Sequence, residues 1–169
     1  MLQIRKITLV LSVAAFLCSI NLEAQTFGRG QLALSGGGSY GLDMNEPGLR
    51  GGLVYYLSSN MRACADFTYW PGDDEYTYYE VNANFNYIFF DRQGFLLYGI
   101  VTTGIHYWEQ KWEMDELDPI TRTSSDLGMG AGVGIEYNYE RFSVFGEQKI
   151  IINGHDQPKV NFGIRYYPR

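Results

Sequence analysis

The chain has 169 residues, a length suited to one domain, and a formal net charge of −6 without clusters of basic residues. An acidic chain of this kind argues against nucleic acid as a partner. Aromatic residues make up 16% of the chain and there are 20 glycines, a composition that suits β-strands with aromatic ends and a crowded interior.

Residues 1–24 have the organisation of a secretory signal peptide. Arg5 and Lys6 supply a positive start, an apolar run follows, and residues 22–24 end on a small residue suited to cleavage. The apolar run is too short to span a bilayer comfortably as an anchor helix. We therefore predict cleavage at this point and a mature domain of residues 25–169.

Eight segments with period-2 alternation follow. In the clearest, residues 127–138, apolar side chains alternate with four glycines, Glu136 and Asn138. This segment exceeds an ordinary strand of a small soluble sheet and matches the roughly 9–11 residues with which a tilted strand crosses a bilayer. The predicted strands are residues 30–41, 48–58, 60–70, 76–89, 94–107, 127–138, 141–151 and 159–167.

The parity of the fifth strand is ambiguous. Gly99 and Gly104 have opposite parity, which predicts a β-bulge between them. The connections alternate between short turns and longer polar loops, as in outer-membrane barrels whose short turns and chain termini lie on the periplasmic side. The predicted turns are residues 58–60, 91–94 and 139–140. The predicted outer loops are residues 42–47, 71–75, 108–124 and 153–158.

The polar parity of these strands carries equal numbers of basic and acidic residues. They are Arg50, Arg62, Lys149 and Arg165 with Asp66, Glu80, Glu136 and Glu147. Balanced charges suit a closed interior where each ion needs a partner, and eight strands leave an interior just wide enough for side chains. An Arg facing the bilayer midplane would instead cost roughly 2–4 kcal/mol. We therefore predict an ion-pair network in a plugged lumen.

If Arg50, Arg62 and Arg165 bind Glu80, Glu136 and Glu147, no continuous water path remains through the lumen. We expect Glu136 to lie in an internal ion pair. The glycines of residues 127–138 would make room for neighbouring Arg and Glu side chains. The alternative is a soluble barrel of the lipocalin type, in which the apolar parity points inward.

Catalytic and metal-binding signals are sparse. A rim hydrolase acting on lipid would need a Ser-His-acid constellation, for which His106, His155, Ser124 and Ser125 are the candidates. No spacing of Cys and His indicates a zinc site, and no motif predicts a cofactor. Cys64 falls on the lumen parity, where we expect a small buried residue.

The outer loops are strongly acidic, with two bases, Lys111 and Arg122. The acids are Asp43, Glu46, Asp73, Asp74, Glu75, Glu109, Glu113, Asp115, Glu116, Asp118 and Asp156. These acids predict a soluble, repulsive rim, with divalent-cation binding as the alternative. The loop 108–124 also carries apolar residues that form a contact site, cover the barrel mouth or rest at the outer membrane interface. They are Trp108, Trp112, Met114, Leu117 and Ile120.

Three segments resemble the small eight-stranded outer-membrane barrels of the outer-membrane protein A and X type: residues 128–137, 145–149 and 160–166. The resemblance covers residues 27–167 and implies location in the outer membrane of a Gram-negative-type cell. It also implies that the last strand is recognised by the barrel-assembly machinery, through Val160, Phe162, Ile164 and Tyr166. Such proteins serve as anchors, adhesins, pores or, rarely, lipid-modifying enzymes, so the resemblance does not choose a function.

The sequence therefore predicts an all-β fold, an eight-stranded antiparallel up-and-down transmembrane β-barrel. The favoured function is a structural anchor or surface-interaction protein without enzymatic activity, whose acidic outer loops meet a surface partner and whose wall meets outer-membrane lipid. The alternatives are a small-solute channel, a lipid-modifying enzyme at the rim and a lipocalin-like binding barrel.

Overall fold

The computed structural model describes residues 29–72, 76–114, 117–152 and 157–168. Eight antiparallel strands close into one barrel, in which each strand pairs with its successor and the last pairs with the first. The strands are β1 Leu32–Gly41, β2 Glu46–Tyr56, β3 Met61–Trp70, β4 Tyr76–Arg92, β5 Phe95–Met114, β6 Leu117–Tyr139, β7 Phe142–Ile152 and β8 Gln157–Tyr166. The predicted up-and-down barrel is confirmed.

The barrel is apolar outside and polar inside. Leu49 is 69% exposed on the outer wall, whereas the next residue, Arg50, is 7% exposed and points into the lumen. The same alternation runs along the described side chains of every strand except at Phe89 and Phe90 of β4. No helix in the described ranges is long and apolar enough to cross a membrane. The lipocalin-like alternative is wrong, because the apolar parity faces outward. Outer-wall residues include Leu34, Phe67, Phe85, Val101, Met129, Val133, Val144 and Ile164.

The two ends of the barrel differ. At one end, called the turn end, short turns at 57–60, 93–94 and 140–141 join the strands. Gln93 and Gly94 both have positive φ, 52° and 81°, the geometry of a two-residue type I′ hairpin whose twist matches that of the strands. The opposite end, called the loop end, is where β5 ends at Met114 and β6 begins at Leu117.

At the loop end, β5 and β6 extend into a long hairpin. The prediction of a loop over residues 108–124 is therefore wrong. Their pairing continues from Trp108 with Ser124 to Met114 with Leu117. The Thr and Ser residues of this segment made it look like a polar loop in the sequence. Thr is β-branched, however, and β-branched residues favour paired strands. The register shifts beside Pro119, which cannot donate to the ladder.

The β6 segment of this hairpin has a partner on one side only. The pairing of β6 with β7 begins at Met129, opposite Ile152. From Leu117 to Gly128, no described residue pairs with β6 on the side away from β5. The hairpin therefore projects beyond the barrel wall with one row of backbone N–H and C=O groups unpaired by the described strands.

The predicted bulge in the fifth strand is also wrong. The register of β5 is continuous between Gly99 and Gly104, and the irregularity lies instead at Phe89 in β4. This bulge turns both Phe89 and Phe90 to the outer wall. The parity of β5 was ambiguous because its lumen face carries apolar residues such as Ile100.

Candidate functional site

A continuous network of charged and hydrogen-bonded side chains lies in the lumen. All eight predicted lumen residues point inward and none is more than 7% exposed: Arg50, Arg62, Asp66, Glu80, Glu136, Glu147, Lys149 and Arg165. Burial of so many ions is tolerated only where each finds partners, because an isolated charge loses its hydration at high cost. Three clusters of contacts follow one another along the barrel axis.

The Glu136 cluster lies at the turn end. Glu136 Oε2 accepts from Arg62 Nη1 at 2.6 Å and also from Arg165 Nη1. Its other oxygen, Oε1, accepts from the hydroxyls of Ser143 at 2.5 Å and Tyr167 at 2.7 Å. Four donors from three places in the chain therefore saturate one carboxylate.

Aromatic rings complete this cluster. The Arg62 guanidinium lies 4.1 Å from the centre of the Tyr98 ring, and the Arg165 guanidinium lies 4.2 Å from that of Phe145. Such stacking favours a desolvated cation through the ring quadrupole. The Tyr98 ring fits because Gly134 carries no side chain, and a Cβ on Gly134 would lie 2.2 Å from that ring.

The sequence predicts that the glycines of β6 make room for Arg and Glu side chains. In the structure they make room for other residues. A Cβ on Gly128 would meet His106 at 2.5 Å, and one on Gly132 would meet backbone and side-chain atoms of β7, including the Lys149 side chain at 3.0 Å. Tyr98, His106 and Lys149 occupy the space that the sequence assigned to Arg and Glu side chains. The glycines admit bulky lumen side chains because eight strands enclose a narrow interior.

The middle cluster joins four strands. Arg50 bridges Asp66 Oδ2 at 3.0 Å and Glu147 Oε2 at 3.3 Å. Glu147 Oε1 also accepts from Arg165 Nη2 at 2.7 Å, which links this cluster to Glu136. Lys149 Nζ lies 3.6 Å from Glu147 Oε2.

The Glu80 cluster lies toward the loop end. Glu80 contacts Lys159 Nζ, accepts from Asn82 Nδ2 at 3.2 Å and lies 3.4 Å from His106 Nδ1. Tyr78 OH is also 3.0 Å from His106 Nδ1. Because Asn82 also donates to Asp66 at 3.2 Å, the network continues from this cluster into the middle one.

Glu80 forms no ion pair with an arginine among the described residues. Arg50 lies in the middle cluster, and the basic side chains beside Glu80 are Lys159 and His106, which the sequence analysis left out of the network. Among the described residues nine charged side chains are buried, five basic and four acidic, so the predicted equality of charges does not hold. Lys159 shares the parity of Arg165, a signal that would have identified it.

The candidate hydrolase residues do not converge. His106 contacts Tyr78 and Glu80, and no hydrogen bond among the described residues joins it to Ser124 or Ser125. His155 lies outside the described residues. Cys64 is buried in the lumen as a free thiol.

No metal centre forms among the described His, Cys, Asp and Glu residues. Much of the predicted acidic rim lies outside the described residues: Asp73, Asp74, Glu75, Asp115, Glu116 and Asp156. Glu113 belongs to β5 and Asp118 to β6, both within the projecting hairpin. Cation binding at the rim stays a prediction.

The predicted assembly-signal residues Val160, Phe162, Ile164 and Tyr166 share the outward parity of β8. Phe162 is 57% exposed and its ring covers Gly38 of β1. Recognition of this strand by the assembly machinery stays a prediction.

The barrel is similar to several solved structures. The N-terminal β-barrel domain of Pseudomonas aeruginosa OprF has a TM-score of 0.61 at 13% identity, covering 84% of this chain and all of that one. Neisserial surface protein A has a TM-score of 0.59 at 12% identity, covering 80% and 94%. Yersinia pestis Ail, solved with the heparin analogue sucrose octasulfate, has a TM-score of 0.56 at 15% identity, covering 82% and 98%.

The sequence matches no protein-family model and no curated protein. At these identities the likeness establishes the fold alone. The closed order of strands, the apolar wall and the charged lumen together have the architecture of the small eight-stranded outer-membrane β-barrels.

Proposed function

We propose that this protein is an outer-membrane barrel that anchors a surface-interaction site, formed by the projecting β5–β6 hairpin. The observation that carries the proposal is the edge of β6 between Leu117 and Gly128, which no described strand covers. Such an edge can accept an added strand from a partner, whose backbone supplies the hydrogen bonds. Its position at the loop end faces the cell exterior if the signal peptide delivers the termini to the periplasm.

The lumen supports an anchor better than a channel. Glu136 contacts Arg62, Glu147 contacts Arg50 and Glu80 contacts Lys159, each from a non-adjacent strand, so ion pairs cross the axis of the barrel at three levels. Water and solute would have to displace buried pairs that have no replacement partners. A small-solute channel therefore remains the weaker candidate.

The charge of the hairpin indicates the chemistry of the partner. Residues 108–124 contain five acids and two bases. A complementary partner is an extended, basic polypeptide segment, since opposite charges raise the association rate and exclude acidic competitors. This preference is the reverse of that expected for a protein that binds a sulfated heparin analogue.

The test is a shortened hairpin. Gln110 and Arg122 are cross-strand neighbours, so replacing residues 111–121 by Asn-Gly would close β5 and β6 with a two-residue turn. In proteoliposomes, we expect the full chain to bind immobilised polylysine and not heparin, and the shortened chain to lose that binding while remaining heat-modifiable in gels. Unchanged binding by the shortened chain, or a preference for heparin, would contradict the proposal.

A further inference from the structure

The outer wall of the barrel carries one polar side chain that the apolar surroundings do not explain. Gln148 is exposed near the middle of β7, opposite Val133 of β6 and Val160 of β8. Its neighbours along the outward face of β7 include Ile150 and Val144, which are 56% and 62% exposed. In a bilayer, Gln148 therefore places a primary amide among hydrocarbon, where no water competes for its hydrogen bonds.

The amide differs from another polar group of the outer wall. The hydroxyl of Thr103, also on the outer wall, donates to the carbonyl of Gly128 at 3.3 Å. No hydrogen bond joins the Gln148 side chain to any described residue. Long polar side chains near strand ends can extend to the membrane interface. The Gln148 side chain starts from the middle of the strand and is too short to do so.

The wall beside Gln148 is recessed. Gly146, two residues along β7 on the same outward face, carries no side chain, and the atom nearest to a Cβ placed there is Ile135 Cγ2 at 3.6 Å. A groove of about 360 Å³ opens here, lined in part by Val133, Ile135, Gly146, Gln148 and Val160. The Phe162 ring, which would otherwise cover Gly146 across β8, leans the other way over Gly38. Another protein surface can therefore approach the β7 backbone closely.

We propose that this face, the Gln148 groove, is the contact surface of a homodimer within the membrane, in which the Gln148 amides of two copies hydrogen-bond to each other. The proposal goes beyond the surface-interaction function and rests only on placement of the barrel in a bilayer. Its occupant is a second copy of this chain.

Symmetry favours a second copy over another partner. Two barrels inserted in the same direction are related by a two-fold axis parallel to the bilayer normal, so a residue on that axis meets its own copy at the same depth. A primary amide is self-complementary in this arrangement because it both donates and accepts hydrogen bonds. Gly146 lies beside the same axis, where it lets the two walls approach. A lipid chain in the groove would leave both amides unpaired.

Cysteine cross-linking tests the contact. In full-length protein folded in phospholipid vesicles with Cys64→Ala, we expect Gln148→Cys to form an intermolecular disulfide under mild oxidation. The matched control is Ala65→Cys, an exposed residue of β3 on the opposite side of the barrel. Equal cross-linking at both positions, which indicates random collision, or none at residue 148 would overturn the proposal.

A second measurement avoids the introduced thiol. Sedimentation equilibrium in density-matched detergent should show a dimer for the native sequence. We expect an association constant about tenfold lower for Gln148→Leu, the size of effect that a polar contact between transmembrane helices has. A dimer of unchanged strength in Gln148→Leu would overturn the role of the amide and indicate that lipid or apolar packing fills the groove. Heat-modifiability of every variant separates these outcomes from loss of the barrel and from failure of the membrane placement.

Discussion

The two ends of the lumen are built from similar residues but differ in how firmly they are held. At the turn end, Glu136 is saturated by two arginines, which remain charged at any accessible pH, and by two hydroxyls. At the loop end, Glu80 contacts one lysine, Lys159, together with the neutral amide of Asn82 and the ring of His106. The contrast indicates that the carboxylate at the turn end is held by more charged hydrogen bonds than the carboxylate at the loop end.

The largest loss of stability should come from removing Glu136, the centre of the turn-end cluster. Glu136→Ala leaves Arg62 and Arg165 buried without their shared carboxylate, and we expect a loss of about 3–5 kcal/mol in the free energy of unfolding. Urea titration in phospholipid vesicles, followed by the heat-modifiable gel shift, measures this. The paired variant Glu80→Ala should lose less, because it removes the carboxylate partner of one lysine, Lys159, and not that of two arginines. Equal losses would remove the distinction between the two ends.

A smaller loss of stability is expected from removing one lumen hydroxyl, that of Tyr98. Tyr98 OH donates to Glu147 Oε1 at 3.0 Å and accepts from Arg165 at 3.3 Å. Tyr98→Phe should therefore cost about 1.5–3 kcal/mol, the range for hydrogen bonds to charged groups. Tyr55→Phe, on the exposed outer wall, is the matched control and should be neutral in the same urea titration. If the two variants unfold alike, Tyr98 fills space without holding the ions.

The third prediction concerns the close packing of the Tyr98 ring against Gly134 in the lumen. Gly134→Ala would push a methyl group into the Tyr98 ring, and overpacking of this kind costs about 1–3 kcal/mol. Gly99→Ala is the control, because no atom lies within 4 Å of a Cβ at that outward position. Comparison of the two urea midpoints separates a clash from the general cost of losing a glycine. Stable folding of Gly134→Ala would mean that the Tyr98 ring can move aside.

The smallest expected effect is on ion flow. With the Glu136 cluster closed at the turn end, the native barrel should show no steady openings in a planar lipid bilayer. The Glu136→Ala variant, refolded and checked by gel shift, is the comparison in which rare openings are expected. Steady, reproducible openings of the native protein would favour the small-solute channel over the anchor.

Much of this lumen follows from local alternation. Arg62, Glu136 and Arg165 have inward positions because each sits on the polar parity of its own strand. Lys159 could have been found by the same rule. Tyr98 could not, since apolar and aromatic residues occupy both faces of β5, and the assignment depends on the continuous register with β6. The projecting hairpin was missed for a different reason, because polar residues suit both a loop and a solvated pair of strands.

The sequence by itself determined that the strands alternate, how many there are and which face of most of them is polar, because side-chain direction along a strand has a fixed period of two. It did not determine which ions meet. Arg62 lies on β3, Glu136 on β6 and Arg165 on β8, and only closure of the barrel brings them to one point. Pairing across a lumen depends on register, stagger and the space left by glycines, which are properties of the closed sheet and not of any strand alone.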